Sequence, residues 1–230
     1  MLMVALFYTS NAVADNEPTI NPTAIYTNSG TEDGDSTSAP ATYMFKANVE
    51  NLGAYTAHYE WKFYLLGNES KPYLNRYDED TEYTFTEAGT HCIELYATFI
   101  NSTDTIEYAK EYWSELGPIK ITISVSKLEM PNAFSPNGDG INDIYKAKDG
   151  YKSLTEFHAY IFNRWGHKLY EWSDPAGGWD GKYNGKDVAQ GVYFVLVKAK
   201  GADGIEYNIK RDVNLLRGYT QSSSSSSTSE

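Results

Sequence analysis

Residues 119–125 read Ile119-Lys120-Ile121-Thr122-Ile123-Ser124-Val125, with an apolar side chain at every second position. In an extended chain successive side chains point to opposite faces, so this pattern buries one face and wets the other. A helix would scatter the same isoleucines around its axis. Working outward, the same period recurs upstream. Tyr43, Phe45, Ala47 and Val49 alternate with Met44, Lys46 and Asn48. Tyr59, Trp61 and Phe63 alternate with Glu60 and Lys62, and Tyr83 and Phe85 with Thr84 and Thr86. His91, Ile93, Leu95 and Ala97 alternate with Cys92, Glu94 and Tyr96. Short half-buried strands separated by turn residues predict a β-sandwich over 41–128. Residues 105–113 (TIEYAKEYW) fit a helix or an edge strand equally well.

Beyond residue 130 the texture changes. Met130-Pro131-Asn132 opens a loop rich in Pro, Asn and Gly that runs to Asp143. Strands are predicted at 157–162, 168–172, 191–200 and 205–216. The turns between them are Arg164-Trp165-Gly166, Tyr183-Asn184-Gly185 and Ala202-Asp203-Gly204. Asn-Gly and Asp-Gly supply the positive φ angles of tight hairpins. The fold class expected is all-β, with two β-sandwiches in tandem and the second, over 130–217, the smaller. Residues 15–40 read as a linker with a first strand near 23–27. Residues 218–230 include six consecutive serines and are expected to form a disordered tail.

Charge supports the division. The chain of 230 residues carries a net charge of −12. Residues 1–129 hold 19 Asp and Glu against 7 Lys and Arg, whereas 130–230 hold 12 of each. An acidic balance without basic clusters excludes a nucleic-acid partner, which needs its phosphates neutralised. The 20 Tyr suit pleated, half-buried surfaces. One cysteine, Cys92, excludes an internal disulfide and a C-x-x-C centre. No G-x-S-x-G, H-E-x-x-H or P-loop pattern occurs, and no enzyme is expected.

At the N-terminus a short apolar run, residues 2–8, precedes Ala12-Val13-Ala14 and the polar Asp15-Asn16-Glu17. That order reads as a signal peptide cleaved after Ala14, although no Lys or Arg precedes the run. Seven apolar residues are too few to cross a bilayer, which takes roughly 20, and no other segment is apolar enough.

Five features carry candidate chemistry. Asn137-Gly138-Asp139-Gly140-Ile141-Asn142-Asp143 resembles part of a calcium loop, in which alternate oxygens converge on one point. Asn137, Asp139 and Asp143 would supply side-chain oxygens and Ile141 its carbonyl. A metal-free turn capped by Asn and Asp is the competing reading, and the favoured one. Trp165, Trp172 and Trp179 would either pack a small core or form an aromatic row for sugar rings, and packing is expected. Asp78, Glu79, Asp80 and Glu82 read as a solvated acidic loop. His91 shares the inward parity of Ile93, while Cys92 takes the opposite parity and is expected to be exposed. Asp35-Ser36-Thr37 and Asp104-Thr105-Ile106 resemble acidic O-glycan acceptors.

The first half resembles the PKD/Ig-like sandwiches of bacterial surface proteins through Tyr59-Glu60-Trp61-Lys62-Phe63 and Tyr83-Thr84-Phe85-Thr86-Glu87-Ala88-Gly89-Thr90. The W-D-F-G-D-G stretch usual in that family is absent. The second half is more specific. Pro131-Asn132-Ala133-Phe134-Ser135-Pro136 leads into the loop just described. Ile161-Phe162-Asn163-Arg164-Trp165-Gly166, Gly178-Trp179-Asp180-Gly181 and Gln190-Gly191-Val192-Tyr193-Phe194 follow in order. Together they resemble the gliding motility-associated C-terminal domain of Bacteroidota, the type B sorting domain of the type IX secretion system. The resemblance implies an address rather than a catalyst. Its partner would be the outer-membrane translocon, and its destination the cell surface or the medium. The first half would then be a non-catalytic binding or spacer module. It would alternatively be an adhesin for a surface glycan or host ligand, or a subunit of a surface assembly. Family members usually end at a strand like Val213-Asn214-Leu215-Leu216-Arg217, whereas here 13 residues follow.

Overall fold

The computed structural model describes residues 17–27 and 36–218. The apolar run at 2–8, the expected cleavage site at Ala14 and the serine run lie outside these residues. Among the described residues the chain is all-β apart from one short helix. Its strands are β1 (Thr23–Tyr26), β2 (Ser36–Thr37), β3 (Ala41–Lys46), β4 (Thr56–Leu65), β5 (Leu74–Arg76), β6 (Thr81–Phe85), β7 (Gly89–Ile100), β8 (Thr105–Tyr108), β9 (Ile119–Ile123), β10 (Ala133–Phe134), β11 (Leu154–Phe162), β12 (Lys168–Trp172), β13 (Lys182–Tyr183), β14 (Lys186–Asp187), β15 (Gly191–Gly201) and β16 (Glu206–Leu215). Helix α1 spans Lys110–Leu116.

The first sandwich has a three-stranded sheet, β1-β3-β6, and a sheet ordered β2-β9-β7-β4-β5 with β8 paired to β7. Alternation is kept in β3, whose residues run buried and half-buried in turn. It fails in β7, where His91, Cys92 and Ile93 are all buried. Cys92 is therefore enclosed, against the exposure that parity predicted. The ambiguous stretch 105–113 divides: β8 takes its start and α1 follows. Trp113 anchors α1 by donating from Nε1 to the Leu95 carbonyl at 2.8 Å. Gly117, at φ 75°, ends the helix with its N–H on the Trp113 carbonyl.

The second sandwich is built on a five-stranded sheet, β10-β16-β15-β11-β12, with the hairpin β13-β14 apart from it. The strand expected at 157–162 starts three residues earlier, at Leu154. β12 has the bounds expected. The two-residue β10 runs parallel to β16, Phe134 opposite Leu215. Among the described residues no helix is long and apolar enough to cross a membrane.

By its contacts the chain divides into two compact units that do not coincide with a cut at 130. One comprises 1–32, 44–82 and 92–119, the other 33–43, 83–91 and 120–230. In the first, Phe45 meets Trp61 and Phe63 at ring distances of 5.9 and 5.2 Å. Trp61 Nε1 donates to the carbonyls of Asp78 and Glu79, so that acidic loop turns backbone inward and keeps its carboxylates exposed. In the second, the Ala88 N–H donates to the Ala202 carbonyl. Ser126 donates from both N and Oγ to the Asp203 carboxylate. His91, buried as expected, hydrogen-bonds the Glu87 carbonyl at 3.0 Å.

Candidate functional site

The four motifs of the second half are far apart in sequence but converge in the fold. Trp179 is fully buried. Its ring lies 5.3 Å from Phe134 and 5.1 Å from Tyr193, and its Nε1 donates to the Lys182 carbonyl at 2.7 Å. Its backbone exchanges two hydrogen bonds with Tyr145. The Tyr145 hydroxyl donates to the Pro131 carbonyl at 3.0 Å, and burial pushes that phenol up to about 12. The Asn132 carbonyl accepts from Asn214 N, fixing the entry of β10 beside β16. The Tyr193 hydroxyl donates to the Ala189 carbonyl at 2.7 Å, in the loop just before Gly191.

Glycine is required in two places here. A Cβ on Gly178 would fall 2.5 Å from the Tyr145 carbonyl oxygen. Gly181 sits at φ 77° between Pro136, Leu215 and Arg217. Asp180 accepts from Lys182 N and closes that turn.

Arg217 joins the ends of these segments. Its guanidinium donates to the carbonyls of Val188, Pro136 and Gly181 at 3.1, 3.3 and 2.8 Å, and Asp187 lies 3.4 Å away. A fork of fixed donors suits several carbonyls at once. Sequence reading placed Arg217 only as the end of a strand, and Tyr145 was not singled out at all. An aromatic residue inside a polar loop was the one available signal.

The loop 137–143 is held by its own side chains. Asp143 Oδ1 accepts from the N–H groups of Asn137 and Gly138, and Oδ2 from Gly140. Those bonds, from Gly138 and Gly140 foremost, hold the Asp143 carboxyl below the usual carboxylate range. Asp139 accepts from Ile141 N and Asn137 Nδ2. Gly138, Gly140 and Asn142 take positive φ, and the Asn142 carbonyl accepts from Ser135 N. The structure thus brings Asn137, Asp139 and Asp143 together, with their oxygens serving the loop's own N–H groups. Among the described residues no three His, Cys, Asp or Glu side chains are placed to share a metal.

The tryptophans part company. Trp172 is half-buried, with Tyr145 and Phe157 at ring distances of 6.4 and 6.3 Å. Trp165 is 79% exposed, which corrects the expectation that it packs. It tips a turn in which Asn163 Oδ1 accepts from both Trp165 N and His167 N, and Gly166, at φ 78°, donates to the Asn163 carbonyl. A short polar cap of this kind fixes the turn and leaves the indole outside.

Residues 128–210 match the family model CHU_C, the type IX secretion signal domain. The second half of the chain carries a type IX secretion signal domain. Such a domain directs export across the outer membrane, to the cell surface or the medium, and works through the secretion machinery. Residues 1–127 lie outside the match. No curated protein matches the chain. Among solved structures, the fibronectin(III)-like modules of CbhA from Clostridium thermocellum align at 14% identity and a TM-score of 0.25, over 87% of this chain and 94% of that one. Dimeric latent PorU from Porphyromonas gingivalis aligns at 10% identity and a TM-score of 0.28, over 89% of this chain and 20% of that one. Both likenesses are too faint to bear on the fold or the function.

The first sandwich presents a groove of about 410 Å³ on β4, β5 and β7. The Tyr64 hydroxyl donates to Glu94 Oε1 at 2.6 Å, and Asn75 Nδ2 donates to Glu60 Oε1 at 2.8 Å. Lys62 lies 3.7 Å over the Tyr96 ring. Burial, with Glu94 beside it, raises the Tyr96 phenol to about 12 and Tyr64 further still. The side chains involved have the outward parity of their strands, which sequence reading passed over as a solvated face.

Proposed function

We propose that this chain is a non-catalytic binding or spacer module carried to the cell surface or the medium by its C-terminal domain. The match of residues 128–210 to the secretion signal family supports the reading. The four motifs of that domain contribute to one packed core that includes Trp179, and Arg217 ties their loops together. The first sandwich displays a groove of hydrogen-bonded polar side chains. The test keeps the chain whole: it is expressed in a Bacteroidota host and in the same host with the type IX machinery disabled. Surface or medium protein in the first, and retention in the periplasm in the second, is expected. Equal distribution in both hosts overturns the reading.

The groove on β4, β5 and β7 supports a second reading, an adhesin for carbohydrate. Tyrosine faces with carboxylate and amide acceptors are the groups that hold sugar rings and hydroxyls. A glycan array probed with the purified chain and with Tyr96→Ala separates the two. Binding lost in the variant makes the module an adhesin, and a blank array leaves the spacer reading.

A further inference from the structure

The outward face of the five-stranded sheet carries an apolar band where alternation calls for polar side chains. Phe162 and Phe194 stand opposite each other in register, and Tyr160 and Leu196 form the next outward pair. Phe194 is 45% exposed and Val192 50%. Their chain neighbours Ile161, Tyr193 and Val195 are buried on the other face, so the band lies outside the core. β11 then runs straight into the Asn163–Gly166 turn with its exposed Trp165. The Arg164 guanidinium lies 5.1 Å from the Trp165 ring. Arg164 makes no ion pair among the described residues, whereas nearby Lys168 is bound to Glu171 at 2.6 Å.

An exposed tryptophan beside an unpaired arginine has the composition of an interface anchor. A turn already locked by its own hydrogen bonds spares a partner the entropy of ordering it. The charge argues against self-association. A second copy meeting this face about a two-fold axis through the turn would bring another unpaired Arg164 against the first.

We infer that the Arg164–Trp165 turn, with Phe162, Val192 and Phe194 behind it, is the face by which the secretion machinery holds this domain. The partner surface is a protein of that machinery offering an apolar recess for the indole and a carboxylate for the guanidinium. This inference rests on the export reading and names the surface that carries it out.

The test uses the full chain and two sets of exposed variants, Arg164→Glu alone and Trp165→Ala with Phe194→Ser. Each is followed by its surface-to-periplasm ratio in the intact host and by its melting temperature after purification. Both sets are expected to melt close to the parent while export falls about tenfold or more, the loss typical of an interface anchor. Retention of Arg164→Glu tests the idea even where the double variant fails to fold. Export of folded variants at the parent level overturns the inference. So does normal export with loss of a concentration-dependent dimer in sedimentation, which would assign the face to a second copy. If the parent chain itself is exported without the machinery, the export reading fails first, and the two failures are distinct.

Discussion

Trp179 touches the aromatic partners of two other motifs and has no solvent exposure. Trp179→Ala removes that contact and leaves a cavity, at an expected cost of about 3–5 kcal/mol measured by urea unfolding. Asp143 acts differently, as an acceptor for three loop N–H groups. Its folded pKa lies below its unfolded value. Its contribution is therefore present above the unfolded carboxyl pKa of about 3.9 and is lost as pH falls through the lower folded value. Asp143→Asn replaces one acceptor oxygen with a donor facing an N–H. The variant should melt lower than the parent at pH 7, and the gap should close on acidification to a pH below the ordinary carboxyl range. A gap unchanged down to that pH would show that the charge contributes nothing.

At the scale of elements, the turn after β11 owes its shape to one side chain. Asn163 Oδ1 accepts from Trp165 N and His167 N. Asn163→Ala removes both bonds while the β11–β15 pairing stays. Amide exchange at Trp165 and His167 is expected to quicken about tenfold, as for the loss of a hydrogen bond worth roughly 1.4 kcal/mol, with core amides such as Val195 unchanged. Strand alternation was legible for β3, β9, β11 and β15 because each buries one face only. It misled at β7, since Cys92 lies on a face that tertiary packing also covers. Trp165 was expected to pack for its large apolar area, but a turn signal says where the chain reverses and not which way the tip side chain faces.

At the scale of the molecule, the contact division places 33–43 and 83–91 in one unit with 120–230. Ala39 N donates to Ser153 Oγ, Ala88 N to the Ala202 carbonyl, and Ser126 to Asp203. A chain ended at residue 129 loses all these acceptors. It is expected to unfold at a lower temperature than the first transition of the full chain, or to aggregate. A truncated form that melts like the parent would show the first sandwich to be self-sufficient. For this reason export is better tested by disabling the machinery than by shortening the chain.

The sequence by itself determined the strand class, the turn positions and the sorting domain, because period, turn chemistry and ordered motifs are local properties of the chain. The acidic first half and balanced second half were equally open to counting. Only the tertiary structure decided that Pro136, Gly181 and Val188 meet on Arg217, and that Tyr145 closes onto Trp179 and Pro131. It alone decided that Trp165 stands in solvent while Trp179 does not. Contacts between residues far apart in sequence depend on how sheets and loops fill a shared volume, and side-chain identity at one position does not carry that information.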